Sequence, residues 1–238
     1  MAGLLASVTH AHEARIVLDA GADIIDLKDP AHGALGALPL PCIRTVVANV
    51  GGRYLTSATV GDLPADPHVL TRAVAATAAT GVDFVKVGLF GTAYFSDCLD
   101  ALAQHAADGE RLIAVLFADL RPDFNAIEQL AAKGFSGVML DTANKQSGGL
   151  RSHLALERLF AFVKTAKRLG LITGLAGSLR REDIVPLVST GADYLGFRTA
   201  LCRGQSRTAE IDPGAVAATR ACLARLRTAA QPGRHVAI

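Results

Sequence analysis

Two side chains of opposite charge, Asp26 and Lys28, stand two residues apart in the run Ile24-Ile25-Asp26-Leu27-Lys28-Asp29-Pro30. The run reads as an apolar strand, ended by a proline that cannot continue a sheet ladder. Side chains alternate across a strand, so Ile24, Asp26 and Lys28 share one face while Ile25 and Leu27 share the other. Burying either charge alone is costly, so an apolar strand that carries both needs a reason. Two readings fit: a structural ion pair, or an amine kept for chemistry.

Lys86 raises the same question in Phe84-Val85-Lys86-Val87-Gly88, where Phe84, Lys86 and Gly88 share a face. Two lysines in one poorly solvated site lower each other's pKa. A lysine made neutral in this way is a nucleophile toward carbonyls, and the other serves as general acid or base. Three more charges end or follow apolar runs: Asp119 after Leu112 to Ala118, Asp141 after Gly137 to Leu140, and Lys145 in the loop Thr142-Ala143-Asn144-Lys145. Taken singly, each also reads as a solvated or paired charge.

The elements that must position these residues follow from one recurring pattern. Gly21, Gly81, Gly134, Gly170 and Gly191 each end a helical stretch, and an apolar run begins within a few residues. This is a left-handed helix cap turning the chain into a strand. The pattern predicts strands near Leu4 to Val8, Ile24 to Lys28, Tyr54 to Val60, Phe84 to Leu89, Leu112 to Ala118, Gly137 to Asp141, Leu171 to Ala176 and Tyr194 to Phe197. Between and after them it predicts helices near His10 to Ala20, Pro41 to Asn49, Pro67 to Thr80, Ser96 to Ala107, Phe124 to Lys133, Leu154 to Leu169, Glu182 to Thr190 and Pro213 to Arg227. Strand–helix alternation around near-continuous apolar strands predicts an α/β fold, a TIM (β/α)8 barrel, with a doubly wound open sheet as the alternative. The first strand lacks the Gly-x-Gly-x-x-Gly that the alternative favours. Residues 1–238 form one barrel domain in this reading, with 228–238 as a fraying tail.

A barrel gathers its chemistry at the C-terminal ends of the strands. Asp26, Lys28, Lys86, Asp119, Asp141 and Lys145 all fall there. So do Gly177 and Ser178 after the seventh strand and Arg198 after the eighth, where barrels commonly hold phosphate. Gly177 allows close backbone approach and Arg198 supplies charge; an ordinary Gly-Ser turn is the other reading of the first pair.

Composition bounds the rest. Of 238 residues, 50% are hydrophobic, only 5% are aromatic and none is Trp, so the interior is built of Ala, Leu and Val. A net charge of +2 with mixed signs gives no footprint for nucleic acid or a membrane surface. The expected partners are a small phosphorylated molecule and further copies of the same chain. Cys42, Cys98, Cys202 and Cys222 lack metal-ligand spacing and a disulfide pattern, which fits a reducing cytoplasm. The N-terminus lacks a basic region before its short apolar run, so a targeting leader is not expected. His10 and His12 read as surface residues at a helix start. No P-loop, nucleophile elbow or His-Glu-x-x-His helix occurs, and no metal or other cofactor is expected.

Together, and in this order, GADIIDLKDPAHGALGA, SATVGDLP, GVDFVKVGLFG, VMLDTANK and GLAGSLRREDI resemble the (5-formylfuran-3-yl)methyl phosphate synthase family. The resemblance covers nearly the whole chain; residues 116–120 and 146–153 are less like the family than the strands are. It implies a TIM barrel that condenses two molecules of glyceraldehyde 3-phosphate, without a metal, to a furan precursor of methanofuran. It also implies Lys28 as the Schiff-base lysine, Lys86 as the proton-transfer lysine, Asp26 as the acid beside the first, and Asp141 with Lys145 as a further charged pair. Another lysine-dependent aldolase on a different phosphorylated carbonyl compound is the second reading. A non-catalytic barrel that binds a phosphorylated ligand is the third, and two buried lysines argue against it.

Overall fold

All five glycines expected to end helices stand at positive φ, between 78° and 85°, where a residue with a Cβ is disfavoured. In the computed structural model, which describes residues 2–90 and 95–229, these turns feed eight parallel strands. They are β1 (Gly3–Val8), β2 (Ile24–Leu27), β3 (Leu55–Thr59), β4 (Phe84–Gly88), β5 (Leu112–Phe117), β6 (Gly137–Asp141), β7 (Ile172–Leu175) and β8 (Tyr194–Phe197). Each strand pairs with its sequence neighbours, and β1 also pairs with β8, so the sheet closes into a TIM barrel. That closure excludes the doubly wound sheet, which keeps two free edges.

The helices are α1 (Ala11–Asp19), α2 (Leu40–Val50), α3 (Pro67–Ala78), α4 (Phe95–Ala107), α5 (Ala126–Ala132), α6 (Leu150–His153), α7 (Leu156–Arg168), α8 (Ile184–Ser189) and α9 (Pro213–Ala229). The start of α3 follows from its residues: the Asp66 side chain accepts from the N–H groups of His68 and Val69, and Pro67 at the first position has no N–H to satisfy. The short α6 was not expected, and it moves the next helix start from Leu154 to Leu156. At the far end α9 includes Thr228 and Ala229; the rest of the expected tail, 230–238, lies outside the described residues. No helix among the described residues is long and apolar enough to cross a membrane.

The alternation of each strand splits the apolar residues into two layers. Leu4, Ala6, Ile25, Leu27, Val85, Val87 and Leu140 face outward and pack with helix residues such as Val17, Val46, Leu102 and Phe162. Each Leu, Ile, Val or Phe side chain so buried contributes about 1.5–3 kcal/mol. The inward layer is different. Leu5, Ile24, Phe84, Ile113 and Met139 fill the lumen as an apolar floor, and the charged side chains stand above it.

Three carboxylates at the N-terminal rim hold the barrel together. Asp83 accepts from Thr56 N at 2.7 Å and Thr56 Oγ1 at 2.9 Å, and Asp193 accepts from Thr173 N at 2.9 Å and Thr173 Oγ1 at 2.7 Å. Asp23 accepts from Leu4 N at 2.7 Å. Each thus satisfies the N–H of the second residue of the preceding strand. These acids are structural, and the chemistry lies at the other rim.

Candidate active site

Asp26 is fully buried on β2. Its Oδ1 accepts from Lys86 Nζ at 2.8 Å and from Ser57 Oγ at 2.7 Å, and its Oδ2 accepts from Ser7 Oγ at 2.9 Å. Burial pushes the carboxyl pKa up, but the charges of Lys86 and Lys28 and these hydrogen bonds outweigh it and hold the group below its ordinary range. The register places Ser7 and Ser57 directly beside Asp26 on the flanking strands. Lys86 reaches the same carboxylate from β4. The acid beside Lys28 in sequence is therefore hydrogen-bonded to the other lysine.

Lys28 follows β2 and is 7% exposed. Its Nζ lies 3.8 Å from Asp141 Oδ2 at the end of β6. Burial pushes its pKa down to about 8; Asp141 and Asp26 pull it up, while Lys145 and, after it, Lys86 push it further down. The repulsion expected from Lys86 alone thus has a larger contributor in Lys145. Lys145 Nζ donates to Asp141 Oδ1 and to the Thr142 carbonyl. Asp141 is buried, which raises its pKa, yet the two lysines and the Thr142 N–H bring it to about 2. An anionic carboxylate thus lies between two amines. The one at Lys28 loses its proton far more readily than an ordinary lysine.

Two further carboxylates shape the loops around this group. Asp119, after β5, accepts from Ala143 N at 2.8 Å and Asn144 N at 2.7 Å, which fixes the loop that carries Lys145. Asp62, after β3, accepts from Ala34 N and Leu35 N, both at 2.7 Å. That second clamp seats Leu35, fully buried, over the lumen. Asp119 sits at the mouth as expected, but it grips backbone and leaves the lysines to Asp26 and Asp141.

After β7, Gly177 stands at φ 109° and Ser178 at φ 48°. A Cβ on Gly177 would lie 3.0 Å from Thr142 Cγ2, so glycine lets the β7 and β6 loops touch. Among the described residues, no protein acceptor takes the N–H of either residue or the Ser178 hydroxyl. Arg198 is a correction. It lines the mouth, but its donors are bound to Ser7 O, Arg207 O, Ala209 O and both oxygens of Glu13. A guanidinium has five N–H groups, so Arg198 has none left for an anion.

The charged residues open into a small cavity lined by Asp26, Lys28, Lys86, Asp141, Lys145, Gly177, Ser178, Arg198 and residues not foreseen from sequence, among them Ser7 and Arg207. Ser7 and Ser57 were legible by the alternation that placed Asp26 inward. Glu13 on α1 and Arg207 in the β8–α9 loop gave no local signal.

The sequence profile described as 4-HFC-P synthase matches residues 4–220. A protein from Methylorubrum extorquens, named provisionally as a (5-formylfuran-3-yl)methyl phosphate synthase, is 46% identical over 215 residues, which cover 90% of this chain and 88% of that one. The (5-formylfuran-3-yl)methyl phosphate synthase of Methanothermobacter thermautotrophicus is 35% identical over 215 residues, covering 86% and 91% of the two chains. Among solved structures, 3-hexulose-6-phosphate synthase aligns with TM-score 0.67 and 17% identity over 92% of this chain and 99% of that one. Phosphoribosyl anthranilate isomerase from Thermus thermophilus also gives TM-score 0.67, at 16% identity over 95% of this chain and 100% of that one. At such identities the structural matches carry the barrel fold alone.

Proposed function

The chain belongs to the 4-HFC-P synthase family, an enzyme family of methanofuran biosynthesis, and from that premise we propose that it condenses two molecules of glyceraldehyde 3-phosphate to (5-formylfuran-3-yl)methyl phosphate through an imine on Lys28. The observation that carries this reading is the Lys28 amine, buried at a cavity and brought down to about 8. Near neutrality a useful fraction is free base, and a free amine attacks an aldehyde. The resulting carbinolamine loses water to give an iminium.

The iminium acidifies the neighbouring C–H, whose proton passes to the Lys86–Asp26 pair, and the enamine left behind supplies the carbon nucleophile for the bond to the second molecule. Asp141 and Lys145 stabilise the charge that appears and disappears at the Lys28 nitrogen. Loss of one phosphate and, overall, two waters, with hydrolysis of the imine, then delivers an aromatic furan, whose stability draws the sequence forward. The phosphate of the bound substrate lies toward Gly177 and Ser178, where N–H groups stand without protein acceptors.

Incubation with glyceraldehyde 3-phosphate alone, followed by mass analysis, tests the reading. A phosphorylated furan aldehyde released together with inorganic phosphate is the expected result. A different condensation product would move the chain to a wider class of Schiff-base aldolase, and no turnover would remove the proposal.

A further inference from the structure

Five cationic side chains line the cavity, and four of them face a carboxylate. Lys86 is held by Asp26, Lys145 by Asp141, and Arg198 by Glu13, while Lys28 sits near Asp141. Arg207, half-buried in the β8–α9 loop, differs. Its Nη2 donates to Gly33 O at 2.9 Å, and among the described residues this is the one hydrogen bond its side chain makes. Of five guanidinium donors, four therefore remain unspent, in the fork geometry that suits phosphate oxygens.

We propose that Arg207 is the cation that receives the phosphate monoester of the substrate, and that the buried Glu13–Arg198 pair is the strut that holds it in place. The proposal deepens the reading above and rests on it for the phosphorylated substrate. Arg207 lines the same cavity as Ser178 and Thr199, so the guanidinium and the unspent N–H groups of Gly177 and Ser178 face one volume. The ligand class is a dianionic phosphate on a short carbon chain. Its reactive carbonyl then turns toward Lys28 in the same cavity.

The strut is read from the hydrogen bonds. Arg198 Nε donates to Arg207 O at 2.8 Å and Nη2 donates to Ala209 O at 2.9 Å, so the guanidinium expected to bind phosphate instead binds the backbone of the loop that carries Arg207. Glu13 fixes Arg198 by bonds of 2.6 Å and 3.1 Å and also accepts from Ile211 N at 3.2 Å, at the far end of that loop. Helix α1, strand β8 and the loop are thereby tied at one buried point. Arg198 and Glu13 are positioning residues: they act on the ligand through Arg207.

The test titrates inorganic phosphate into the intact protein by calorimetry at pH 7 and constant ionic strength. Arg207→Gln removes the charge together with the Gly33 contact, whereas Arg207→Lys keeps a cation that can still approach the Gly33 carbonyl, so the pair of variants and a thermal melt of each separate the loop contact from the anion contact. Phosphate affinity should fall about tenfold or more in Arg207→Gln, and less in Arg207→Lys, which keeps charge without the fork. Binding within twofold of the parent protein in Arg207→Gln, or no measurable phosphate binding by the parent protein, would overturn the assignment. In Glu13→Gln the phosphate Kd and the KM for glyceraldehyde 3-phosphate should rise together, with kcat falling less. A kcat loss that outruns KM, or an unchanged Kd, would reduce the pair to scaffolding and overturn the strut. If the parent protein binds phosphate but makes no furan aldehyde, the reaction assignment fails while the phosphate titration still judges Arg207.

Discussion

Lys86 Nζ lies 2.8 Å from Asp26 Oδ1 across 60 residues of chain, whereas Lys28, only two residues from Asp26, faces Asp141 at 3.8 Å. The two amines therefore work in different settings. One is hydrogen-bonded into a buried network with Ser7 and Ser57, and the other stands at the cavity with a lowered proton affinity. On this division rests our proposal that Lys28 is the nucleophile and Lys86 the proton carrier.

Borohydride reduction during incubation with glyceraldehyde 3-phosphate should leave its adduct on Lys28, as peptide mass mapping would show. Lys28→Arg keeps the charge and should abolish the adduct; Lys86→Ala should retain it while turnover falls by orders of magnitude. An adduct on Lys86 or Lys145, or turnover in Lys28→Arg, would reverse the roles.

Adduct formation should climb with pH through about 8 as Lys28 loses its proton. Stability should move in the same direction. The unfolded chain keeps this proton up to its ordinary value of 10.5 and the folded chain only to about 8, so the unfolded state binds more protons in between and stability rises with pH across that window. Lys28→Met should flatten that rise in denaturant titrations. At the acid end Asp141 acts with the same sign: its stabilisation is present above 3.8 and is lost as pH falls through about 2.

Asp26→Asn should be among the most destabilising single changes, costing roughly 3–5 kcal/mol, because it leaves Lys86 buried without a counter-charge. Lys86→Met strands the carboxylate and should cost a similar amount. The double variant Asp26→Asn/Lys86→Met should lose much less than the sum of the two, which a thermal or urea cycle would read directly.

Asp119→Ala should lower turnover at modest cost in stability, about 1–3 kcal/mol, since two part-exposed N–H groups lose their acceptor. The loop bearing Lys145 then loosens, and the depression of the Lys28 pKa should shrink. A pH–rate profile that stays in place would separate Asp119 from the amines.

Gly177→Ala should shift the contact with Thr142, because φ 109° is foreign to a residue with a Cβ and the methyl would sit 3.0 Å from Thr142 Cγ2. A loss of stability together with weaker phosphate binding is expected, the first from thermal melts and the second from the same calorimetry.

The strands, the helix-ending glycines and the inward direction of Asp26 and Lys86 were legible because they follow from local periodicity. Ion-pair partners were not. Two residues on one face of a strand are about 7 Å apart along it, too far for a direct bond between short groups. The partner is chosen by register, and register comes from strands far away in sequence. Arg198 shows the same limit: its place at the end of β8 was readable, but Glu13, 185 residues away, claims its donors. Loop residues such as Asp62 and Arg207 carry no periodic signal, and their roles emerge only when the barrel brings the loops together.

The apolar floor beneath Asp26 and Lys86 has a consequence for where hydrogen atoms go. Leu5, Ile24, Phe84, Ile113 and Met139 close the lumen below the pair, so among the described residues its polar opening is the mouth, where we place the substrate. In the reaction we propose, a hydrogen lifted from a substrate carbon is then held in a chamber without a drain.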